Sequence, residues 1–173
     1  SIYEVLPLHI CHIAAISMGL YVYTKIKFFF EVGYFFGLSG NFLAIITPDL
    51  DFSFPDAEYI TYYFGHGLLL LCVIYACVCT KVQLTWWSVL RVLLFAVCLL
   101  PIIYGLNIYI SQFFKGVNYW YLMITPAANT LLDIFPSPPM HIPYLAVLTV
   151  IIFTLIYLPF KYLNKNSYLN YQQ

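Results

Sequence analysis

A small set of histidine, aspartate and asparagine side chains could support chemistry in this otherwise apolar chain. A histidine can act as a general base near neutral pH, a carboxylate can orient that histidine, and an amide can donate a hydrogen bond to a developing oxyanion. His9 and His12 are three residues apart, so a helix would present both on one face. We predict catalytic roles for His9 and His66, and substrate-binding roles for His12, Asp49, Asn107 and Asn118.

The same side chains allow two other interpretations. Histidine and aspartate are also zinc ligands, but no HxxxH or HExxH pattern occurs on one predicted helix, so no metal or other cofactor is predicted. Alternatively, these polar residues could form a hydrogen-bond network that holds membrane helices together. The five cysteines lie within apolar runs without CxxC spacing, and we interpret them as small packing residues.

Long apolar runs must position these side chains. The chain is 63% hydrophobic and 8% charged, whereas soluble domains have about 25% charged residues. About 20 apolar residues span the hydrocarbon core as a helix, and continuous runs exclude the alternating pattern of membrane strands. The sequence therefore predicts an all-α polytopic membrane bundle of five transmembrane helices, in one integral membrane domain over residues 1–173. The runs are residues 2–24, 28–47, 61–80, 88–113 and 142–163.

The charges between the runs alternate in sign and predict the orientation. Lys25 and Lys27 follow the first run, whereas the gap after the second run has four acidic residues and no base. Lys81 and the tail lysines are again basic. Because basic residues gather on the cytoplasmic side, we predict a multi-pass cell-membrane protein with a cytoplasmic C-terminus. The candidate polar residues, together with Asp133 and His141, then lie in the exterior half.

The connection before the last run is unusual. Residues 115–143 include five prolines from residue 126 onward and many aromatic side chains, so they are too broken for a regular span and too apolar for a free loop. We predict an apolar exterior lid or re-entrant segment packed on the bundle. The first run begins almost at Ser1 and lacks the basic start of a signal peptide, so we expect upstream helices to be missing.

Several collinear motifs resemble one family. They are LPLHICHIAAI, FFEVGYFFGLSGNFLAIITPDLDFSFPD, YYFGHG, GVNYWYLMITPAANTLLD and LPF. Together they resemble the YwaF-type bacterial integral membrane proteins, which are more distantly similar to the eukaryotic transmembrane protein 164 acyltransferases. Those acyltransferases move polyunsaturated acyl chains onto ether phospholipids.

The resemblance implies that four residues occupy positions of the family motifs. These are the histidine of the first motif, His9, the histidine of the third, His66, the asparagine before the lid, Asn118, and the proline that ends the second helix, Pro48. In the eukaryotic relatives a proposed acyl-accepting cysteine precedes the first histidine, and that position is Leu8 here. Bacterial members usually have aspartate where this chain has His12. An acyl-cysteine mechanism therefore does not transfer, and direct attack by a bound hydroxyl group is the simpler route.

The leading functional hypothesis is thus a lipid-modifying enzyme of acyl-transfer or acyl-hydrolysis type, such as a membrane-bound phospholipid acyltransferase. A small-solute or proton-coupled transporter and a non-catalytic scaffold remain alternatives, since both could use the same polar residues. We expect membrane lipids as partners. Nucleic acid is excluded because the net charge is zero and no basic stripe is present, and the oligomeric state stays open.

Overall fold

The computed structural model describes residues 6–48, 50, 53–80, 82–125 and 131–170, and the regular elements in these ranges are helical. Two short 3₁₀ turns, Tyr119–Tyr121 and Leu131–Ile134, precede the last α-helix. The predicted all-helical class is confirmed. The α-helices are α1 (Ile10–Thr24), α2 (Lys27–Ile46), α3 (Ala57–Cys79), α4 (Trp86–Ser111) and α5 (Ile142–Asn170).

Four of these helices, α2 to α5, are long and apolar enough to cross a membrane. The first is shorter than predicted, because α1 begins only at Ile10 and has 15 residues. Its length is roughly 22 Å at 1.5 Å per residue, less than the hydrocarbon thickness. Pro7 disfavours helical backbone at the residue before it, and His9 is extended (φ −67°, ψ 153°), so residues 6–9 are not helical.

The central element of the bundle is α2, which contacts each of the other four helices. Half of its apolar stretch is buried, whereas the corresponding share in α3, α4 and α5 is 6–17%. Its aromatic side chains Phe30, Phe35 and Phe36 are buried, and the rings of Phe35 and Phe36 pack with Phe153 of α5. The outer helices expose large apolar side chains, as expected for surfaces that face lipid.

A stripe of glycines on α2 sets how closely its neighbours approach. A Cβ atom on Gly37 would lie 2.8 Å from Cγ2 of Val73 on α3, and one on Gly40 would lie 3.0 Å from Cγ2 of Ile10 on α1. A side chain at Gly37 would be too close to Val73, and one at Gly40 would require the Ile10 side chain to shift. These glycines therefore allow close packing of α2 against α1 and α3.

The bundle has two chemically different ends. The lid end contains the starts of α1, α3 and α5, the ends of α2 and α4, and the lid segment, which we define as residues 112–125 and 131–141. The opposite, basic end contains Lys25, Lys27, Arg91 and Lys161. A ring contact between Trp86 of α4 and Tyr157 of α5 helps to close the basic end.

Candidate functional site

The lid segment is fixed to the bundle by Asn107, a fully buried residue near the end of α4. Its amide Nδ2 donates to the Tyr119 carbonyl at 2.9 Å, and its Oδ1 accepts from the Tyr119 backbone N–H at 2.8 Å. One side chain thus satisfies both backbone groups of Tyr119. Non-helical backbone in an apolar setting needs such partners, because water is not there to supply them.

Asn118 organises the next turn of the lid. Its Oδ1 accepts from the backbone N–H groups of Met123 at 3.0 Å and Ile124 at 3.2 Å, while its Nδ2 donates to the Ile124 carbonyl at 2.6 Å. Both asparagines were predicted to bind substrate. The structure gives both a role in holding the lid backbone, and a substrate-binding role stays a prediction.

Two aromatic residues in the lid have left-handed backbone, Trp120 (φ 60°) and Tyr121 (φ 54°). Such conformations cost about 1–3 kcal/mol each and persist only where the surroundings hold them. The Trp120 Nε1–H donates to the Leu8 carbonyl at 2.8 Å, and its ring packs edge-on against Phe36. The Nε2–H of buried His141 donates to the Tyr121 carbonyl, also at 2.8 Å. These contacts tie the lid to the backbone before α1 and to α2, and they join the two described parts of the lid.

Below the lid, the histidines of the first motif lie side by side. The His9 ring packs against the Tyr119 ring of the lid, with 4.9 Å between centroids, and lies 5.9 Å from the His12 ring. His9 immediately precedes α1 rather than lying within it. The Nδ1 atom of His12 is buried and has no hydrogen-bond partner among the described residues.

His66 on α3 completes the group of histidines. It lies close enough to His9 and His12 for a charge on its ring to interact with a charge on either of theirs. Its Nδ1 lies 2.8 Å from the Tyr62 carbonyl, and its ring lies 4.2 Å from the Tyr62 ring. A carbonyl oxygen only accepts, so Nδ1 must carry the proton and neutral His66 must have a bare Nε2.

The tyrosine that orients His66 is itself fixed. The hydroxyl group of Tyr62 donates to the Ala44 carbonyl near the end of α2, at 3.1 Å. The orientation of the His66 ring therefore depends on the packing of α3 against α2. We define the histidine site as His9, His12 and His66 with Tyr62 and Tyr119.

The remaining expectations concern Asp49, Cys11 and metal binding. Asp49 lies outside the described residues. Cys11 is a free thiol, half-buried near the start of α1, and its interpretation as a packing residue stays a prediction. Within the part of the chain that the structure describes, no three histidine, cysteine or acidic side chains are arranged to hold a metal ion.

Sequence reasoning missed a charged cluster at the basic end. The carboxylate of Glu31 on α2 is fully buried, and Arg91 of α4 donates to it through Nε, at 2.9 Å, and through Nη2. Lys27 Nζ lies 3.8 Å from Glu31 Oε1. The available signal was one acidic residue inside an apolar run and an arginine inside another, since ionisable residues in membrane helices are usually paired.

Comparison with known proteins places the chain in a family. No curated protein and no solved structure matches it. The model of the TMEM164 family matches residues 1–157, which include the lid, the histidine site and the first half of α5. This match supports the resemblance to the transmembrane protein 164 relatives. The chain belongs to the TMEM164 family.

Proposed function

We propose that this membrane protein acts on acyl groups of membrane lipids at the histidine site, by transfer or by hydrolysis. The observation that carries the proposal is the hydrogen bond from His66 Nδ1–H to the Tyr62 carbonyl, which leaves Nε2 able to accept a proton. The family supports an integral membrane protein, and the YwaF-type resemblance remains part of the proposal.

In the proposed reaction, His66 acts as a general base. Its Nε2 accepts the proton of a hydroxyl group while that oxygen forms a bond to the acyl carbonyl carbon. Collapse of the tetrahedral intermediate breaks the original ester carbon–oxygen bond, and the imidazolium returns the proton to the leaving alcohol oxygen. A lysophospholipid hydroxyl gives transfer, and water gives hydrolysis.

In this proposal, His9 and the lid bind the acyl chain next to His66. The Tyr119 ring covers one side of His9, and the lid provides apolar walls suited to an acyl chain. Leu8 lacks a nucleophilic atom, which favours direct attack by the hydroxyl group over an acyl-enzyme intermediate at that position.

The packing between the two ends favours an enzyme over a transporter. A transporter needs a polar path through the bundle. Phe35, Phe36 and Val73 are buried between the histidine site and Glu31 and are apolar, and the buried polar side chains of α1 and α2 in this region, Ser17 and Asn41, are uncharged. A lipid-modifying enzyme needs no such path, because its substrate enters from the membrane.

The test uses the full chain in lipid nanodiscs with a phospholipid carrying an isotope-labelled acyl chain and an unlabelled lysophospholipid. Mass spectrometry follows labelled acyl chains on new phospholipid and as free fatty acid. We expect His66→Gln to lower the rate by about 100-fold or more, and Cys11→Ala to stay close to wild type. Full activity in folded His66→Gln would contradict the proposal, and loss of activity in Cys11→Ala would favour an acyl-cysteine route.

We further propose that the lid end faces the exterior and that the C-terminus is cytoplasmic, from the charge pattern alone. In a cysteine-free background, single cysteines near Lys27 and near Asp56 can be labelled with a membrane-impermeant maleimide. We expect only the site near Asp56 to react in intact cells. Labelling of both from the same side would refute this orientation.

A further inference from the structure

The acidic and basic side chains of the charged cluster at the basic end differ greatly in solvent exposure. An ion pair that only joined two helices would not require this difference. The Glu31 side chain is fully buried, whereas 46% of the Arg91 side chain and 44% of the Lys27 side chain are exposed. An ion pair that only held α2 against α4 could have both Glu31 and Arg91 buried. Here the acid lies inside and both bases reach the surface.

Glu31 also fixes how Arg91 is presented. The carboxylate and the Ser88 hydroxyl engage Nε and Nη2 of the guanidinium, while Nη1 makes no hydrogen bond within the described residues. A planar guanidinium held along one edge presents its remaining N–H donors in a fixed direction. This arrangement removes much of the entropy cost of ordering an arginine when it binds an anion.

The charges leave a net positive surface. Arg91 and Lys27 contribute two positive charges and Glu31 one negative charge, so the cluster carries a net charge of +1. Trp87 lies four residues before Arg91 on α4, on the same helix face, and is 69% exposed. An exposed tryptophan beside a basic residue at the end of a membrane helix is typical of the headgroup level.

We propose that Arg91 and Lys27 bind the phosphate group of an anionic phospholipid in the leaflet at the basic end. Guanidinium and ammonium groups both donate to phosphate oxygens, and the donors of Arg91 Nη1 are available for such a bond. This site is separate from the histidine site and does not depend on the proposed acyl chemistry.

The test compares lipid retention by native mass spectrometry of the full chain released from nanodiscs of phosphatidylcholine with added phosphatidylglycerol. We expect the wild-type protein to retain phosphatidylglycerol in preference to phosphatidylcholine. Lys27→Gln should weaken phosphatidylglycerol binding about fivefold, the effect of one basic residue near an anionic surface. Lys115→Gln, an exposed lysine at the lid end, is the matched control and should change binding less than twofold. Equal retention in Lys27→Gln and Lys115→Gln would overturn the proposal.

A second variant separates the guanidinium donors from net charge. Glu31→Gln combined with Arg91→Gln removes one charge of each sign, so the cluster keeps its net charge but loses the guanidinium. We expect phosphatidylglycerol selectivity to fall in this variant, and unchanged selectivity would overturn the assignment to Arg91. Inorganic phosphate alone should not displace the lipid. Full displacement by phosphate would identify a site for a free anion and overturn the lipid proposal.

Discussion

The two ends of the bundle differ in how polar groups are paired within an apolar surrounding. At the lid end, neutral amides satisfy an irregular backbone, as Asn107 does for Tyr119, and three imidazoles remain beside it. At the basic end, Glu31 and Arg91 lie within regular helices, and their formal charges pair from one helix to the other. The comparison shows that polar side chains hold a non-helical segment at one end and fix a charged surface at the other.

Because a largely apolar buried layer separates the two ends, changes at one end should leave the other intact. Phe35, Phe36 and Phe153 fill that layer and share ring contacts. Mutations at well-separated sites without shared partners usually have additive effects on the free energy of unfolding. The following changes test this independence, starting with the largest expected effect.

The charge pair should show an asymmetry between its partners. Arg91→Leu leaves the carboxylate of Glu31 buried with Lys27 as its remaining basic neighbour among the described residues, and we expect a loss of about 3 kcal/mol in the free energy of unfolding. Glu31→Leu should cost less, because the half-exposed Arg91 can turn toward water. Unfolding in mixed detergent micelles measures both. A larger loss in Glu31→Leu than in Arg91→Leu would contradict the description of the cluster.

Removing the lid anchor should loosen the lid alone. Asn107→Leu deletes two hydrogen bonds to Tyr119, and we expect a loss of about 2 kcal/mol and faster amide exchange over residues 117–124. Ser111→Ala is the control on the same helix, because its hydroxyl group is exposed and bonds only within α4. Exchange that accelerates equally in α2 near Glu31 would show that the ends are coupled.

The tie between the lid and the start of α1 should have the smallest effect. Trp120→Phe keeps an aromatic ring against Phe36 but deletes the bond to the Leu8 carbonyl, and we expect a loss of about 1 kcal/mol. The matched control is Trp87→Phe, which alters an exposed tryptophan at the basic end. Equal destabilisation by the two changes would argue against a specific role for the Trp120 hydrogen bond.

Much of the fold could be predicted because membrane helices leave a direct signal in sequence. Continuous apolar runs gave the helices, and Pro48 after α2 agrees with an end at Ile46. The predicted first helix was too long at its start, because hydropathy does not show that Pro7 and His9 lie before the first helical turn. Helix ends depend on local backbone, which composition reports poorly.

The candidate site was partly accessible from sequence. Histidines in apolar runs stand out, so His9, His12 and His66 could be singled out without coordinates. The roles of Asn107 and Asn118 as lid supports could not, since they depend on which backbone groups lack partners in the folded chain. Glu31 and Arg91 were missed because they are 60 residues apart in the chain, and only the packing of α2 on α4 joins them.

The most direct test of the central claim is the tautomer of His66, that is, which of its two ring nitrogens carries the proton. Histidine labelled with ¹⁵N in the full chain, in lipid bilayers near neutral pH, reports each ring nitrogen by solid-state NMR, and the His66 signals are assigned by their loss in His66→Gln. We expect a protonated Nδ1 that donates to the Tyr62 carbonyl and a bare Nε2. A protonated Nε2 with a bare Nδ1 would contradict the account, because His66 could then not serve as the base.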